Sequence, residues 1–213
     1  MTDEELEQRV LGLLAEGKPR EAAELAVYGE PKDARRGGHG ERISGYLRGL
    51  ARNEADADDA FGDFAIDVVK GIRTFQGKSS LRAWLYTVAR NAFLASQRRG
   101  GRRREEPLGE GDEASKIRQE ARKSTTSWRK TDKRDALVEL RRELDEEDQT
   151  ILILRADRGF SWKDAARVML GETDVVDEEA LKREANRVKK RYERVIDELR
   201  EKAITKGLWK REG

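Results

Sequence analysis

The stretch that decides the fold is FQGKSSLRAWLYTVARNAF, which runs from Phe75 to Phe93. It begins with a turn containing Gly77 and two serines, and it continues as apolar residues with a helical period. Six apolar side chains fall within one arc of that helix, which is typical of a face buried in a core. They are Leu81, Trp84, Leu85, Val88, Ala92 and Ala95. We therefore predict a turn followed by a core helix.

The opposite arc of this helix combines arginines with aromatic rings, in Arg82, Tyr86, Arg90 and Phe93. This combination suits single-stranded nucleic acid, because guanidinium groups hold phosphates and rings stack on unpaired bases. The alternative is that Tyr86 and Phe93 pack against a neighbouring helix. The sequence alone leaves both interpretations open.

The rest of the chain predicts further helices, and no stretch of alternating β-branched residues indicates a strand. The residues that signal helix starts are, in chain order, Thr2, Pro19, Asp145, Ser161 and Asp177. The last of these helices is predicted to run to Lys202 or beyond. The glycine-rich segment Gly29–Gly40 is predicted to be a loop. The fold class is therefore all-α.

One long polar segment separates two parts of the chain that are rich in predicted helices. The segment from Gly100 to about Lys130 has many charges and few large apolar residues, so it is predicted to be a flexible polar linker. We therefore predict two small helical domains, residues 1–99 and 132–213, joined by a linker at 100–131. Within the second domain, a short capped helix, a turn and a longer helix match the helix-turn-helix pattern.

The composition limits the class of protein. Charged residues make up 41% of the 213 residues and apolar residues 36%, which suits small helical bundles with charged outer faces. The net charge is only +2, so affinity for nucleic acid must come from local clusters. The absence of cysteine fits a reducing cytoplasm. Without a signal-like start or a long apolar run, we expect a soluble, cytoplasmic protein with no membrane insertion.

The sequence predicts no enzyme activity, no cofactor and no metal site. His39, the only histidine, lies in a glycine-rich loop and is expected to be a solvated loop residue. No phosphate-binding loop of the Walker type and no histidine-rich metal pattern is present. The aspartates between Asp56 and Asp67 lie on a predicted helix rather than in a ligand loop, which favours a solvated or partner-facing stripe.

That helix, predicted from Asp58 to Phe75, has two distinct faces. The apolar face consists of Phe61, Phe64, Ala65, Val68 and Ile72. Beside it, Asp59, Asp63 and Asp67 are spaced four residues apart and form one acidic stripe.

The predicted last helix has a basic face opposite its apolar stripe. Its predicted buried stripe is Leu181, Ala185, Val188, Tyr192, Val195 and Leu199. Between Lys182 and Arg191 only Glu184 is acidic, which suits phosphate contact and entry into a DNA groove. The predicted exposed set is Arg183, Asn186, Arg187, Lys190 and Arg194. The alternative is an ordinary charged surface helix, since several acidic residues follow Arg191.

Taken together, these residues resemble the extracytoplasmic-function (ECF) group of bacterial sigma factors over nearly the whole chain. Their first domain is similar to EADADDAFGDFAIDVVKGIRTFQGKSSLRAWLYTVARNAFLASQRR. The two halves of their second domain are similar to LDEEDQTILILRADRGFSWKDAARVML and VKKRYERVIDELRE. The resemblance implies an acidic helix that binds the polymerase clamp, and a loop and helix that open and read the minus-ten element. It also implies a second domain that reads the minus-thirty-five element.

The resemblance implies three sets of site residues. Those of the polymerase-binding helix are Asp59, Asp63, Phe64 and Asp67. Those of the minus-ten site are Gln76, Lys78, Ser79 and Ser80 in a loop that captures a flipped base, and Arg82, Tyr86, Arg90 and Asn91 along the melted strand. Those of the helix-turn-helix are Ser161, Trp162, Lys163, Arg183, Asn186, Arg187, Lys190 and Arg194. The implied partners are core RNA polymerase and promoter DNA, and the family also admits an anti-sigma factor.

The sequence departs from the family pattern at two places. Gly62 and Asp63 stand where the polymerase-binding helix usually has Gln-Glu. The segment GETDVVDEEALKREANR is longer than the usual turn of the helix-turn-helix, which lengthens the recognition helix or adds a turn before it. Two competing interpretations are a stand-alone helix-turn-helix regulator that binds duplex DNA without polymerase, and a sigma-like adaptor that opens no promoter.

Overall fold

A computed structural model describes residues 1–30, 38–100, 116–117, 119–121, 140–173 and 176–207. The predicted all-α class is confirmed, since these ranges contain helices and turns and no strand. The chain divides into two compact units, residues 1–131 with 171–175, and residues 132–170 with 176–213. None of the described helices is long and apolar enough to cross a lipid bilayer.

Within residues 1–30 and 38–100 of the first unit, the structure describes five α-helices. They are α1 (Asp3–Ala15), α2 (Pro19–Tyr28), α3 (Gly40–Leu50), α4 (Glu54–Gly71) and α5 (Leu81–Gly100), with a 3₁₀ turn at Ile72–Thr74. The predicted start signals are confirmed: Thr2 and Glu5 form a capping box on α1, and Pro19 occupies the first turn of α2. The side chain of Asn53 accepts a hydrogen bond from the Asp56 N–H and caps α4.

Helix α5 is the central element of this unit, because it packs against α4, α3 and α1. The apolar face predicted for α4 is confirmed, since Phe61, Phe64, Ala65, Val68 and Ile72 are all buried. Trp84, predicted to be a core residue, is buried as well, and its ring lies 5.8 Å from that of Phe75. Burying aromatic and aliphatic side chains of this size is the main favourable contribution to folding of the unit.

His39 is not the solvated loop residue that the sequence predicted, because it is only 1% exposed. Its backbone N–H donates a 3.0 Å hydrogen bond to the carbonyl of Ala26, which ties the residue to α2 just before α3 begins. The preceding Gly38 makes this close approach possible, since a Cβ there would lie 2.4 Å from the carbonyl oxygen of Val27. Gly38 therefore allows the two backbone segments to pack closely at this position.

The second unit contains three described α-helices. They are α6 (Glu146–Leu152), which continues through a π-helical turn at Ile153–Asp157, α7 (Trp162–Leu170) and α8 (Glu178–Thr205). The caps predicted at Asp145, Ser161 and Asp177 are confirmed, since each side chain accepts a backbone N–H of the following helix. The predicted linker lies largely outside the described residues. So does most of the segment DKRDALVELRREL at 132–144, which the sequence predicts to be a further helix.

Helix α8 packs against α7 and α6. In its predicted apolar stripe Leu181, Val188 and Val195 are buried, and the other three members are half-buried. Because α8 begins at Glu178, the longer segment after α7 lengthens this helix at its start. Val176, just before α8, packs with Ala166 and Leu181 and so joins the segment to the core.

Candidate nucleic-acid interface

A polar turn between the 3₁₀ segment and α5 forms the most accessible part of the predicted strand-binding site. We name residues Gln76–Ser80 the strand-binding loop. Gln76, Lys78 and Ser80 are exposed, and Ser79 is half-buried. Gly77 has a φ of 68°, a left-handed conformation that side chains with a Cβ rarely adopt. The loop therefore presents polar groups and one lysine on a backbone shape that requires glycine.

The strand-binding loop ends on the N-terminus of α5. The Ser80 hydroxyl accepts a 3.2 Å hydrogen bond from the Ala83 N–H, and the Ser80 carbonyl accepts one of 3.0 Å from the Trp84 N–H. A second cap comes from α1, where a Glu7 carboxylate oxygen lies 2.6 Å from the Leu81 nitrogen and accepts its N–H. The sequence analysis missed Glu7, because no local pattern reveals a contact between residues 74 positions apart.

The burial of two α5 rings decides between the two interpretations that the sequence left open. Tyr86 is 0% exposed and Phe93 is 2% exposed, so both rings are packed inside the unit and neither faces solvent. Tyr86 packs against Tyr46 of α3, with ring centroids 5.2 Å apart. Arg90 is also buried, at 9% exposure, while Arg82 and Asn91 are half-buried. The physical reason is that α5 has neighbours on more than one side, so both of its arcs are covered.

The acidic stripe of α4 is partly accessible. Asp59 and Asp67 are exposed, whereas Asp63 is half-buried and forms an ion pair with Arg99 of α5. Phe64, included by resemblance among the polymerase-binding residues, is fully buried and belongs to the core. The surface available to a partner on this helix is therefore carried by Asp59 and Asp67. The substitution of Gly62 for the family's usual residue lies on the buried side.

All five residues predicted for the exposed basic face of α8 are exposed: Arg183, Asn186, Arg187, Lys190 and Arg194. Arg187 differs from the others, because its guanidinium donates to Glu184 at 2.8 Å and to Glu147 of α6 at 2.5 Å. These hydrogen bonds, the one to Glu184 first, raise the pKa of Arg187 above its usual value. A phosphate that contacts Arg187 would compete with these carboxylates for its guanidinium.

Arg191 lies beside this face and joins α8 to the start of α6. It donates at 2.7 Å to Asp145 and forms ion pairs with Glu147 and Asp148. We name Arg187, Arg191 and the carboxylates of Asp145, Glu147, Asp148 and Glu184 the α6–α8 charge network. Because Arg191 and Asp148 are largely covered, this network serves first to hold the two helices together.

The three residues predicted at the start of α7 have structural contacts. The Ser161 hydroxyl accepts the Asp164 N–H at 3.0 Å, which is the cap of the helix. The Trp162 ring lies 3.8 Å from the Arg155 guanidinium carbon and packs edge-on against Tyr192 of α8. Lys163 forms a 2.8 Å ion pair with Glu178. Ser161 and Lys163 are exposed all the same, while Trp162 is half-buried.

Parts of the chain are similar to known proteins. Residues 38–103, which contain α3, α4, the strand-binding loop and α5, match the family described as Sigma-70 region 2. The ECF RNA polymerase sigma factor EcfG of Rhodopseudomonas palustris is 32% identical over 119 residues, which cover 56% of this chain and 62% of that protein. The RNA polymerase sigma factor YlaC of Bacillus subtilis is 25% identical over 129 residues, covering 61% and 73%.

These matches support the assignment of the chain to the ECF group of sigma factors. They agree with the resemblance seen in the sequence and support a role in transcription initiation. No solved structure matches it at a significant level. Helices α1 and α2 precede the matched residues, and the helices of the second unit follow them. Among the described residues no group of His, Asp or Glu side chains is arranged to hold a metal ion.

Proposed function

We propose that this sigma factor binds core RNA polymerase, directs recognition and opening of promoters by the holoenzyme, and has no catalytic activity of its own. The first unit would bind polymerase and the minus-ten element, and the second unit would read the minus-thirty-five element. The observation that carries the proposal is that one matched domain exposes both an acidic helix face and a polar, glycine-shaped loop. Such a protein would work in the cytoplasm, where polymerase acts on the chromosome.

The polymerase contact is assigned to the exposed aspartates of α4. Asp59 and Asp67 are exposed on one side of the helix and give it a negatively charged face. A basic surface on a partner would be complementary to this face and would be steered towards it. Phe64 contributes indirectly, because its buried ring fixes the helix from which the aspartates project.

The strand contact is assigned to the strand-binding loop and Arg82. Their polar and cationic groups suit the backbone and base edges of an unpaired strand. The duplex contact is assigned to α8, where Arg183, Lys190 and Arg194 are exposed.

Two experiments in sequence separate this proposal from its alternatives. Purified protein is first tested for co-purification with core polymerase, and the complex is then used in run-off transcription from genomic promoter fragments. The proposed function requires both binding and a specific transcript. A stand-alone helix-turn-helix regulator would bind duplex DNA and fail the first test. A sigma-like adaptor would pass the first test and yield no transcript.

A charge-reversal variant tests the surface itself. The double variant Asp59→Lys and Asp67→Lys should lose at least about tenfold in polymerase affinity at physiological salt, because two favourable charge contacts become repulsive. The matched control reverses Glu21 and Glu41, which are exposed on α2 and α3 and produce the same change in net charge. Helicity measured by circular dichroism should stay the same in both. Equal polymerase affinity in the two variants would refute the assignment to α4.

A further inference from the structure

The N-terminal helix α1 precedes the residues that match the sigma family, and yet it contacts both the strand-binding loop and the first turn of α5. Three residues of α1 spaced four apart make these contacts, so they share one face of the helix. The Asp3 carboxylate lies 3.9 Å from the Arg82 guanidinium, and the Glu7 carboxylate accepts the Leu81 N–H at 2.6 Å. The side chain of Leu11 lies against Gly77.

The contact of Glu7 is at the junction between the loop and α5. The first N–H groups of a helix have no partner within the helix, and the positive end of the helix dipole lies there. Ser80 satisfies the Ala83 N–H, and Glu7 satisfies the Leu81 N–H with a charged oxygen. A carboxylate at this position is favourable on both counts, because hydrogen bonds to an ionised acceptor are stronger than neutral ones.

The contact of Leu11 is at the tip of the loop. A Cβ built on Gly77 would lie 3.3 Å from the Leu11 Cδ1, so this apolar side chain packs over the one residue of the strand-binding loop that has a positive φ. Glu7 therefore holds the end of the loop and Leu11 covers its glycine. Asp3, on the next turn of the same face, lies beside Arg82, the first basic residue after the loop.

We propose that Glu7 is a positioning residue for promoter-strand binding, and that α1 is a brace that keeps the strand-binding loop in its binding conformation. This inference rests on the proposed function, in which the loop captures a base of the melted strand. A loop held in one conformation loses less conformational freedom when it binds, and it discriminates more sharply between bases of different shape. Without the brace the loop samples more conformations, so both affinity and base preference decrease.

The test compares three variants of the full chain. Glu7→Ala removes the acceptor for the Leu81 N–H, while Glu7→Gln keeps an oxygen acceptor and loses the charge. Glu4→Ala is the matched control, because it removes an exposed carboxylate from the same turn of α1. In complex with core polymerase, Glu7→Ala should bind a single-stranded non-template promoter oligonucleotide about fivefold more weakly, in line with the loss of a helix cap. Glu7→Gln should recover most of that loss, and Glu4→Ala should match the parent protein.

Two further measurements separate positioning from general stability and from the proposed function. The ratio of affinities for oligonucleotides with the preferred and a substituted base should fall for Glu7→Ala. Amide hydrogen exchange of the free chain should accelerate in residues 76–82 and stay unchanged in the core of α3 and α4. Unchanged amide hydrogen exchange in the loop, or equal acceleration throughout the first unit, would overturn the proposal that α1 holds the loop in place. If the parent chain fails to bind the single strand, the proposed function fails, while hydrogen exchange still decides whether Glu7 positions the loop.

Discussion

His39 shows how burial changes the chemistry of one residue. Burial lowers its pKa from 6.5 to about 4; Asp3 opposes this effect, and Arg42 and Arg82 add to it. The chain has a single histidine, so its ring resonances in an NMR titration are unambiguous. We expect the ring to stay neutral at pH 6 and to protonate near pH 4. A midpoint near pH 6.5 would contradict the burial of this side chain.

The lowered pKa of His39 also determines how the free energy of unfolding changes with pH. In the unfolded chain the ring binds its proton near pH 6.5, whereas in the folded chain it does so only near pH 4. The free energy of unfolding is therefore highest above pH 6.5 and falls as the pH is lowered through this window, by on the order of 3 kcal/mol at most. The variant His39→Gln should lack this part of the pH dependence, which urea titrations at pH 7 and pH 4.5 would reveal.

Tyr86 marks the limit of what the sequence could predict at the scale of single residues. Hydrophobic periodicity identified the arc of α5 that contains Trp84, because that arc is purely apolar. It could not reveal that the opposite arc is also covered, because an arginine beside an aromatic ring is equally typical of an exposed binding face. The contact of Tyr86 with Tyr46 depends on the placement of α3, which no local pattern specifies.

At the scale of elements the sequence was a better guide. The caps at Thr2, Asp145, Ser161 and Asp177 were predictable, since each depends on a side chain and a backbone N–H within three residues. The contacts between elements were not predictable, because they join residues that no local sequence pattern connects. Glu7 with Leu81 and Arg191 with Asp148 join residues that are far apart in sequence. Charged residues on a helix can be assigned to an outer face, but their partners cannot.

Helix α8 has two adjacent basic residues with different surroundings, and this difference yields a prediction. Arg191 is inside the α6–α8 charge network, whereas Lys190 is exposed on the predicted DNA face. Arg191→Ala should lower the stability of the second unit by about 1–3 kcal/mol, between the values typical of exposed and buried ion pairs, because three carboxylates lose a shared partner. Amide hydrogen exchange in α6 should report the loss as weaker protection.

Lys190→Ala is the matched comparison for this prediction. It should leave the protection of α6 unchanged, and it should weaken binding to upstream promoter duplex by removing a phosphate contact. The slope of log affinity against log salt should fall by about one. If Arg191→Ala lowers the salt slope instead and leaves α6 protected, then Arg191 is a DNA contact and the charge network is not what joins the helices.

The whole molecule consists of two units that each have their own core and their own exposed basic residues. In the first unit Lys78 is exposed in the strand-binding loop, and in the second unit Lys190 is exposed on α8. Because the two lysines belong to different compact units, we expect substitutions at both to act independently. Lys78→Ala should weaken the binding of holoenzyme to single-stranded promoter DNA only. Lys190→Ala should weaken binding to upstream duplex only.

The decisive measurement uses one promoter fragment that contains both elements, with the melted region held open by a mismatch. On this fragment the double variant should lose the sum of the two single losses in binding free energy, to within about 0.5 kcal/mol. The salt slope should fall by about one for each lysine and by about two for the pair, as expected for two separate phosphate contacts. A loss well below the sum would mean that one DNA element is bound only when the other is already held. The two units would then act as one recognition surface rather than as two.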